Sequence, residues 1–130
     1  MSRPGTDATV KYANFKEFWH FYLSVHTHLW TQRLHVIGTS AGVLAFLAAL
    51  FWNEPLWIPL ALVLGYGFAW FSHFVIERNR PATFQYPVWS FLADYKMTFV
   101  FLIGGCKAVR PTTADKPRMG AKKPWKLDAQ

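Results

Sequence analysis

Sorted into apolar and polar positions, the chain divides into four apolar stretches joined by short polar links. Asn14 to Trp30 (NFKEFWHFYLSVHTHLW) places Phe15, Phe18, Trp19, Tyr22, Val25 and Leu29 at three- and four-residue steps, the spacing of one face of an α-helix. Asn14 stands where an N-cap is expected, with Glu17 in the first turn. Leu34 to Trp52 and Trp57 to Ile76 are of a different kind. Each is almost wholly apolar, carries a single histidine (His35 and His73), and approaches the roughly 20 residues that cross a hydrocarbon core. Asn53, Glu54 and Pro55 supply a turn between them, so the pair predicts a helical hairpin. Val88 to Cys106 is a fourth apolar element, interrupted by Asp94 and Lys96, and reads as a span or an interfacial helix. The pattern predicts an all-α, membrane-embedded bundle of about four helices built on a central transmembrane hairpin. Residues 1–13 are expected to be flexible, 14–106 to form the helical domain, and the Lys-, Pro- and Ala-rich 107–130 to be a basic disordered tail.

Composition strengthens the membrane reading. Charged residues make up only 16% of the chain, against about 25% in ordinary soluble domains. The twelve Phe and seven Trp are a load that membrane interfaces and apolar pockets attract. The net charge of +7 gathers partly in the tail from Lys107 to Lys126. Beside so much apolar sequence it points to lipid headgroups rather than nucleic acid. The lone Cys106 excludes an internal disulfide and a cysteine-rich zinc site. No cleavable signal peptide is expected, because the first apolar run begins late and lacks a cleavage pattern.

Candidate chemistry comes from the small-residue stripes of the hairpin. His35, Gly38, Gly42, Ala45 and Ala49 recur at three or four, and Ala61, Gly65, Ala69 and His73 at four. Small residues let membrane helices approach closely, so the two stripes are expected to face each other. His35 and His73 lie equally far from Glu54 in sequence, which places them at one depth, opposite the turn. His26, in the expected last turns of the first helix, arrives at the same end. Glu77 follows His73 by four residues, and Asp94 lies in the second turn of the fourth helix. Three imidazoles and up to two carboxylates suit Fe(II), Zn(II) or Mn(II). Without cysteine, an open catalytic site fits better than a closed structural one. Single histidines at helix ends are commonly interfacial anchors, and His20 and His28 read as such, His28 with the option of an extra ligand. Glu77 could equally pair with Arg78 or Arg80. HExxH, the HxxHH boxes of membrane hydroxylases, a phosphate loop and GxSxG are all missing.

Four motifs, YLSVH (Tyr22–His26), RLHVIG (Arg33–Gly38), HFVIERNRPA (His73–Ala82) and PVWSFLAD (Pro87–Asp94), resemble a known family over about Phe15 to Gly105. It is the family of small membrane proteins typified by the fungal enzyme that degrades phytosphingosine to odd-numbered fatty acids. The resemblance implies an Fe(II)-dependent dioxygenase that shortens 2-hydroxy fatty acids by one carbon. It implies His26, His35 and His73 as iron ligands, with Glu77 as a further ligand or an orienting partner. Asn79, Arg80, Pro81 and Asp94 match the rest of the motifs. Val25 stands where relatives often carry an acidic residue.

On that basis Glu77 and Asp94 are candidate catalytic residues. Arg33, Arg78, Asn79 and Arg80 are candidates for holding the substrate carboxylate, although interfacial snorkelling accounts for each arginine equally well. Phe68, Trp70, Phe71, Phe74 and Phe91 are candidates for lining the alkyl tail, although a lipid-facing role accounts for them equally well. The implied partners are a 2-hydroxy fatty acid, O2 and membrane lipids, with no nucleic acid. The implied location is a bacterial inner membrane, or the endoplasmic reticulum in a eukaryote. If only the hairpin spans, both termini share the site's side, and the positive-inside rule makes that side cytoplasmic. If all four helices span, the same rule puts the site outside, or the rule fails for this chain. Two other classes remain in view: a non-enzymatic membrane scaffold or transporter subunit, and a zinc-dependent membrane hydrolase.

Overall fold

The computed structural model describes residues 12–115. Four helices carry it: α1 (Phe15–Ser24), α2 (Leu29–Trp52), α3 (Trp57–Phe71) and α4 (Pro87–Gly104). A π-helical segment, Ser72–Glu77, continues α3, and short 3₁₀ turns follow at Ala82–Phe84, Cys106–Val109 and Thr113–Asp115. No strand occurs among the described residues, as the apolar pattern predicted.

Helix α1 opens as read from the sequence. The Asn14 side chain accepts from the Glu17 N–H at 3.0 Å, and Glu17 reaches back to the Ala13 N–H at 3.2 Å, a reciprocal cap. Its end differs from the prediction: it stops at Ser24 rather than running to Trp30. The His26 ring explains the stop. Its Nδ1 takes the Tyr22 carbonyl at 2.6 Å, while the His26 N–H turns to Leu23 O at 3.1 Å. The Tyr22 carbonyl, which keeps only a long 3.3 Å bond from the Val25 N–H, thus gains a short one from a side chain. Helix α2 then begins five residues earlier than expected, at Leu29. It ends where Asn53 adopts the left-handed conformation (φ 51°), which Asn tolerates better than most residues.

The hairpin packs on its small faces. Gly38, Gly42, Ala45, Ala49 and Ala69 are buried. A Cβ at Gly42 would stand 2.9 Å from Ala61 O, and one at Gly38 2.9 Å from the Phe68 Cβ, so only glycine permits the approach. The outer faces stay open: Leu44, Leu47, Leu50, Phe51, Leu56 and Val63 are all more than half exposed. Leu29–Trp52 and Trp57–Glu77 are both long and apolar enough to cross a membrane. Only 33% and 17% of their most apolar windows are buried, whereas the core helix of a soluble protein would be mostly covered.

A conventional apolar core lies beside the hairpin, not within it. Phe18, Tyr22 and Leu23 of α1 meet Ala93 and Met97 of α4, together with Ala82 and Val109. Val109 is 0% exposed, and Asp115 bonds the His20 Nδ1 at 2.5 Å. Residues 107–115 are therefore not the disordered start of a tail. One apolar side chain and one carboxylate tie them to the core. Tyr12 likewise stacks on Phe21, so the end of the stretch expected to be flexible joins the domain. The rest of both expected tails, 1–11 and 116–130, lies outside the described residues.

Candidate metal centre

At the end of the hairpin opposite its turn, three imidazoles meet. His26 comes from the link between α1 and α2, His35 from the second turn of α2, and His73 from the π-helical segment. All three are at most 2% exposed. His26 Nε2 stands 2.9 Å from His35 Nε2, which stands 3.2 Å from His73 Nε2. One ligand atom from each lies within 4.8 Å of the other two.

Two of the three rings are aimed by local devices. His26 stacks on Tyr22, with ring centroids 4.0 Å apart, and its Nδ1 donates to the Tyr22 carbonyl. Gln32, 1% exposed, donates to His26 O at 2.9 Å and to Val109 O at 3.2 Å, pinning the link to α2 and the C-terminal segment. His73 Nδ1 faces Asn79 Oδ1 at 2.7 Å, and Asn79 Nδ2 donates to Val25 O at 3.1 Å. The chain delivers Asn79 there through Arg78, held left-handed at φ 53°. The Arg78 and Asn79 N–H groups both return to His73 O. A non-glycine residue in that conformation is uncommon and marks a constrained position. π-Helical turns are themselves rare and frequent at functional sites.

Those partners settle two of the tautomers. A backbone carbonyl only accepts, so His26 Nδ1 carries the proton and its Nε2 offers a lone pair. Asn79 Nδ2 is spent on Val25 O, so its Oδ1 faces His73 and fixes the same tautomer there. Two lone pairs therefore converge on His35 Nε2. A proton on that atom can serve only one of them. His35 Nδ1 is buried with no hydrogen-bond partner among the described residues, and its nearest carboxylate, Asp94 Oδ1, is 3.9 Å away. With His35 also protonated on Nδ1, all three Nε2 atoms present lone pairs to one point. A cation satisfies that arrangement and a proton does not. For metal–nitrogen bonds of about 2.1 Å, adjacent nitrogens stand about 3.0 Å apart at right angles and about 3.4 Å apart in a tetrahedron. The separations of 2.9 and 3.2 Å lie at the lower end of that range, and all three ligand atoms stand within 4.8 Å of one another, so the residues present fit a divalent metal. Burial first, and the two neighbouring imidazoles after it, hold the His26 ring well below its ordinary 6.5, in the neutral state a metal ligand needs.

The remaining predicted site residues are placed differently. Glu77 does not join the imidazoles. Its carboxylate accepts from the Thr27 hydroxyl at 2.8 Å and the His28 N–H at 2.7 Å, at the N-terminus of α2. The wider π turn, closed by i→i+5 bonds, breaks the α-helical register that would have set Glu77 above His73. Asn79, expected to meet substrate, instead orients His73. Asp94 accepts a hydrogen bond from the Tyr22 hydroxyl, and burial, only partly opposed by that bond, pushes its carboxyl up to about 7. Arg33 and Arg80 lie over Trp30 and Phe84, and Arg78 is exposed. His20 bonds Asp115, away from the centre, and His28 is exposed. Of the five aromatics expected around an alkyl tail, Phe91 alone lines the apolar cleft between α2, α3 and α4. Tyr22 and Gln32 escape a reading of the sequence as orienting groups. Their signal is spacing, four residues before His26 and three before His35.

Residues 12–106 match the family model described as 2-hydroxy-palmitic acid dioxygenase Mpo1-like. No curated protein and no solved structure matches the chain. The family match covers most of the chain, and the protein belongs to this family.

Proposed function

We propose, from that membership, that the protein is an Fe(II)-dependent dioxygenase that removes C1 from 2-hydroxy fatty acids at a membrane surface. The observation that carries the reading is the convergence of three buried imidazoles on one point. His26, His35 and His73 would hold the iron, and the small ligand count leaves positions for the substrate oxygens and O2. Bound there, Fe(II) supplies the redox chemistry that couples O2 reduction to substrate oxidation. The overall change balances without a further reductant. A 2-hydroxy acid and O2 give the acid one carbon shorter, carbon dioxide and water, and the substrate furnishes all four electrons that O2 accepts.

The chain's own residues prepare this. Asn79 and the Tyr22 carbonyl fix two ring orientations, as partners of ligating histidines generally do. Asp94, held near 7, is the group to take the proton of the substrate hydroxyl at its Oδ1, with the Tyr22 hydroxyl steadying the charge. Arg33, Arg78 and Arg80, at the same end of the hairpin, draw the carboxylate toward it. We further propose that only the hairpin crosses the bilayer. Its exposed apolar faces lie in lipid, and the histidine end and both termini sit on the cytoplasmic side.

The test is metal analysis and O2 uptake on detergent-purified protein loaded anaerobically with Fe(II). The expected outcome is near-stoichiometric iron, O2 uptake on adding 2-hydroxypalmitate, and pentadecanoate as product. His35→Ala and His73→Ala should lose both metal and uptake. Redox-silent metal with oxygen-independent ester or amide cleavage would establish a hydrolase instead. Absence of both metal retention and uptake would establish a scaffold.

A further inference from the structure

An apolar cleft of about 300 Å³ runs between α2, α3 and α4. Its lining changes character along its length. At one end are Thr39 and Asp94, at the other Phe46, Ile58 and Leu62. The polar end adjoins the metal centre: Thr39 lies one helical turn beyond His35 on α2, and Asp94 Oδ1 is 3.9 Å from His35 Nδ1. Gly65 lines the middle. Its backbone packs against Gly38 and Gly42, but unlike theirs its own Cβ position is open, with no atom within 4 Å. A helix-interior glycine costs about 1 kcal/mol against alanine, and here the missing side chain leaves room in the cleft.

We propose that this cleft seats the alkyl chain of the substrate and that its depth sets the preferred chain length. The inference rests on the dioxygenase reading for the identity of the head group. An amphiphile with one polar head and one chain matches the gradient, its head at the Asp94 end and its tail running toward the hairpin turn. From His35 to Phe46 the helix rises about 16 Å at about 1.5 Å per residue. An extended alkyl chain with C–C bonds of about 1.5 Å advances about 1.3 Å per carbon, so about a dozen carbons fill that distance. Longer chains pass Phe46 toward lipid.

The test uses a 2-hydroxypalmitate analogue with a diazirine at its ω end, photolysed on the full-length protein in nanodiscs, with adducts mapped by mass spectrometry. Adducts at Phe46, Ile58 and Leu62 that unlabelled 2-hydroxypalmitate displaces are expected. Gly65→Phe, which grows into open space, should cut that labelling about tenfold or more and shift the kcat/KM preference toward 2-hydroxydecanoate. Gly65→Ala should keep both, and Phe46→Ala should shift the preference toward longer chains. Adducts spread over Leu44, Leu47 and Leu50, adducts that are not displaced, or an unchanged profile in Gly65→Phe would each overturn the proposal. Labelling needs no turnover. Displaceable cleft adducts on protein that takes up no O2 would sink the oxygenase reading and leave the slot standing. Uptake with adducts only on the outer faces would do the reverse.

Discussion

The two ends of the hairpin bury opposite kinds of group. Near the turn, Phe51 is 83% and Leu56 74% exposed, and the inward positions are filled by alanine and glycine. At the other end Thr31, Gln32, His35, Ser72 and His73 are all at most 2% exposed, while Trp30 and Phe74 face outward. Soluble proteins place these groups the other way round. On the proposed membrane placement the turn end takes its stability from the surroundings, with lipid covering what the chain leaves bare. The histidine end takes its own from pairing, because each buried polar group costs free energy unless something answers it. Thr31 Oγ1 and His35 Nδ1 have no answering group among the described residues, so pairing is incomplete where the imidazoles meet.

Substitution should therefore act through different quantities at the two ends. The largest effect belongs to His35, whose Nε2 stands within 3.2 Å of both other Nε2 atoms. His35→Ala should weaken Fe(II) binding by more than about a hundredfold, beyond the range for groups that only orient a ligand. Leu50→Ala should leave it unchanged. Titration of metal-free protein with Fe(II) under nitrogen checks the pair, and equal losses would erase the contrast. Next is Leu47→Arg, on the outer face of α2. An arginine at the centre of a spanning helix costs about 3 kcal/mol on insertion scales. This variant should insert poorly in a translocon reporter assay, yet bind metal normally once in detergent. Normal insertion would mean that this face does not meet lipid.

Asn79→Ala returns to the histidine end with a smaller effect. It removes the acceptor for His73 Nδ1 and the donor to Val25 O, and should lower metal affinity about 10- to 100-fold. Asn79→Asp keeps the acceptor and should recover part of the loss. A purely structural asparagine would not be rescued in metal affinity, only in melting temperature.

The same contrast explains what could be read from the sequence. Near the turn the periodicity is regular, and the small stripes of α2 and α3 predict their own contact, as the tight approaches at Gly38 and Gly42 bear out. That contact brings His35 and His73 to one depth by counting from Glu54. His26 reaches the expected end by a different route, since it sits in the link after α1, where its own ring closes the helix. The π-helical turn at Ser72–Glu77 is not legible. No residue in SHFVIE forbids an ordinary α-helix, and the wider turn is stabilised from beyond its own end, by the left-handed Arg78 and the return of Asn79 onto His73. Those are tertiary contacts, invisible to a periodicity. Val109 is hidden in the same way: a single apolar residue in a basic segment carries no pattern, yet it fills the core between α1 and α4.

Glu77 carries the smallest prediction and separates two roles that sequence spacing alone confuses. One helical turn after a histidine, a carboxylate is equally a ligand or a brace. The structure has it accept from the Thr27 hydroxyl and the His28 N–H, closing the N-terminus of α2 against the end of the π-helical segment. That end of α2 carries the positive pole of its dipole, so the charge is well placed. Glutamine keeps a carbonyl oxygen for the His28 N–H, and the Thr27 hydroxyl can turn to accept from its amide. Glu77→Gln should therefore cost less than about 1 kcal/mol of stability, and Glu77→Ala about 1–2 kcal/mol. Metal affinity should fall only a few-fold in the alanine variant and hardly at all in the glutamine one. A ligand would behave otherwise, because a neutral amide binds Fe(II) far less well than a carboxylate. If Glu77→Gln releases metal as His35→Ala does, the carboxylate is a ligand and not a brace.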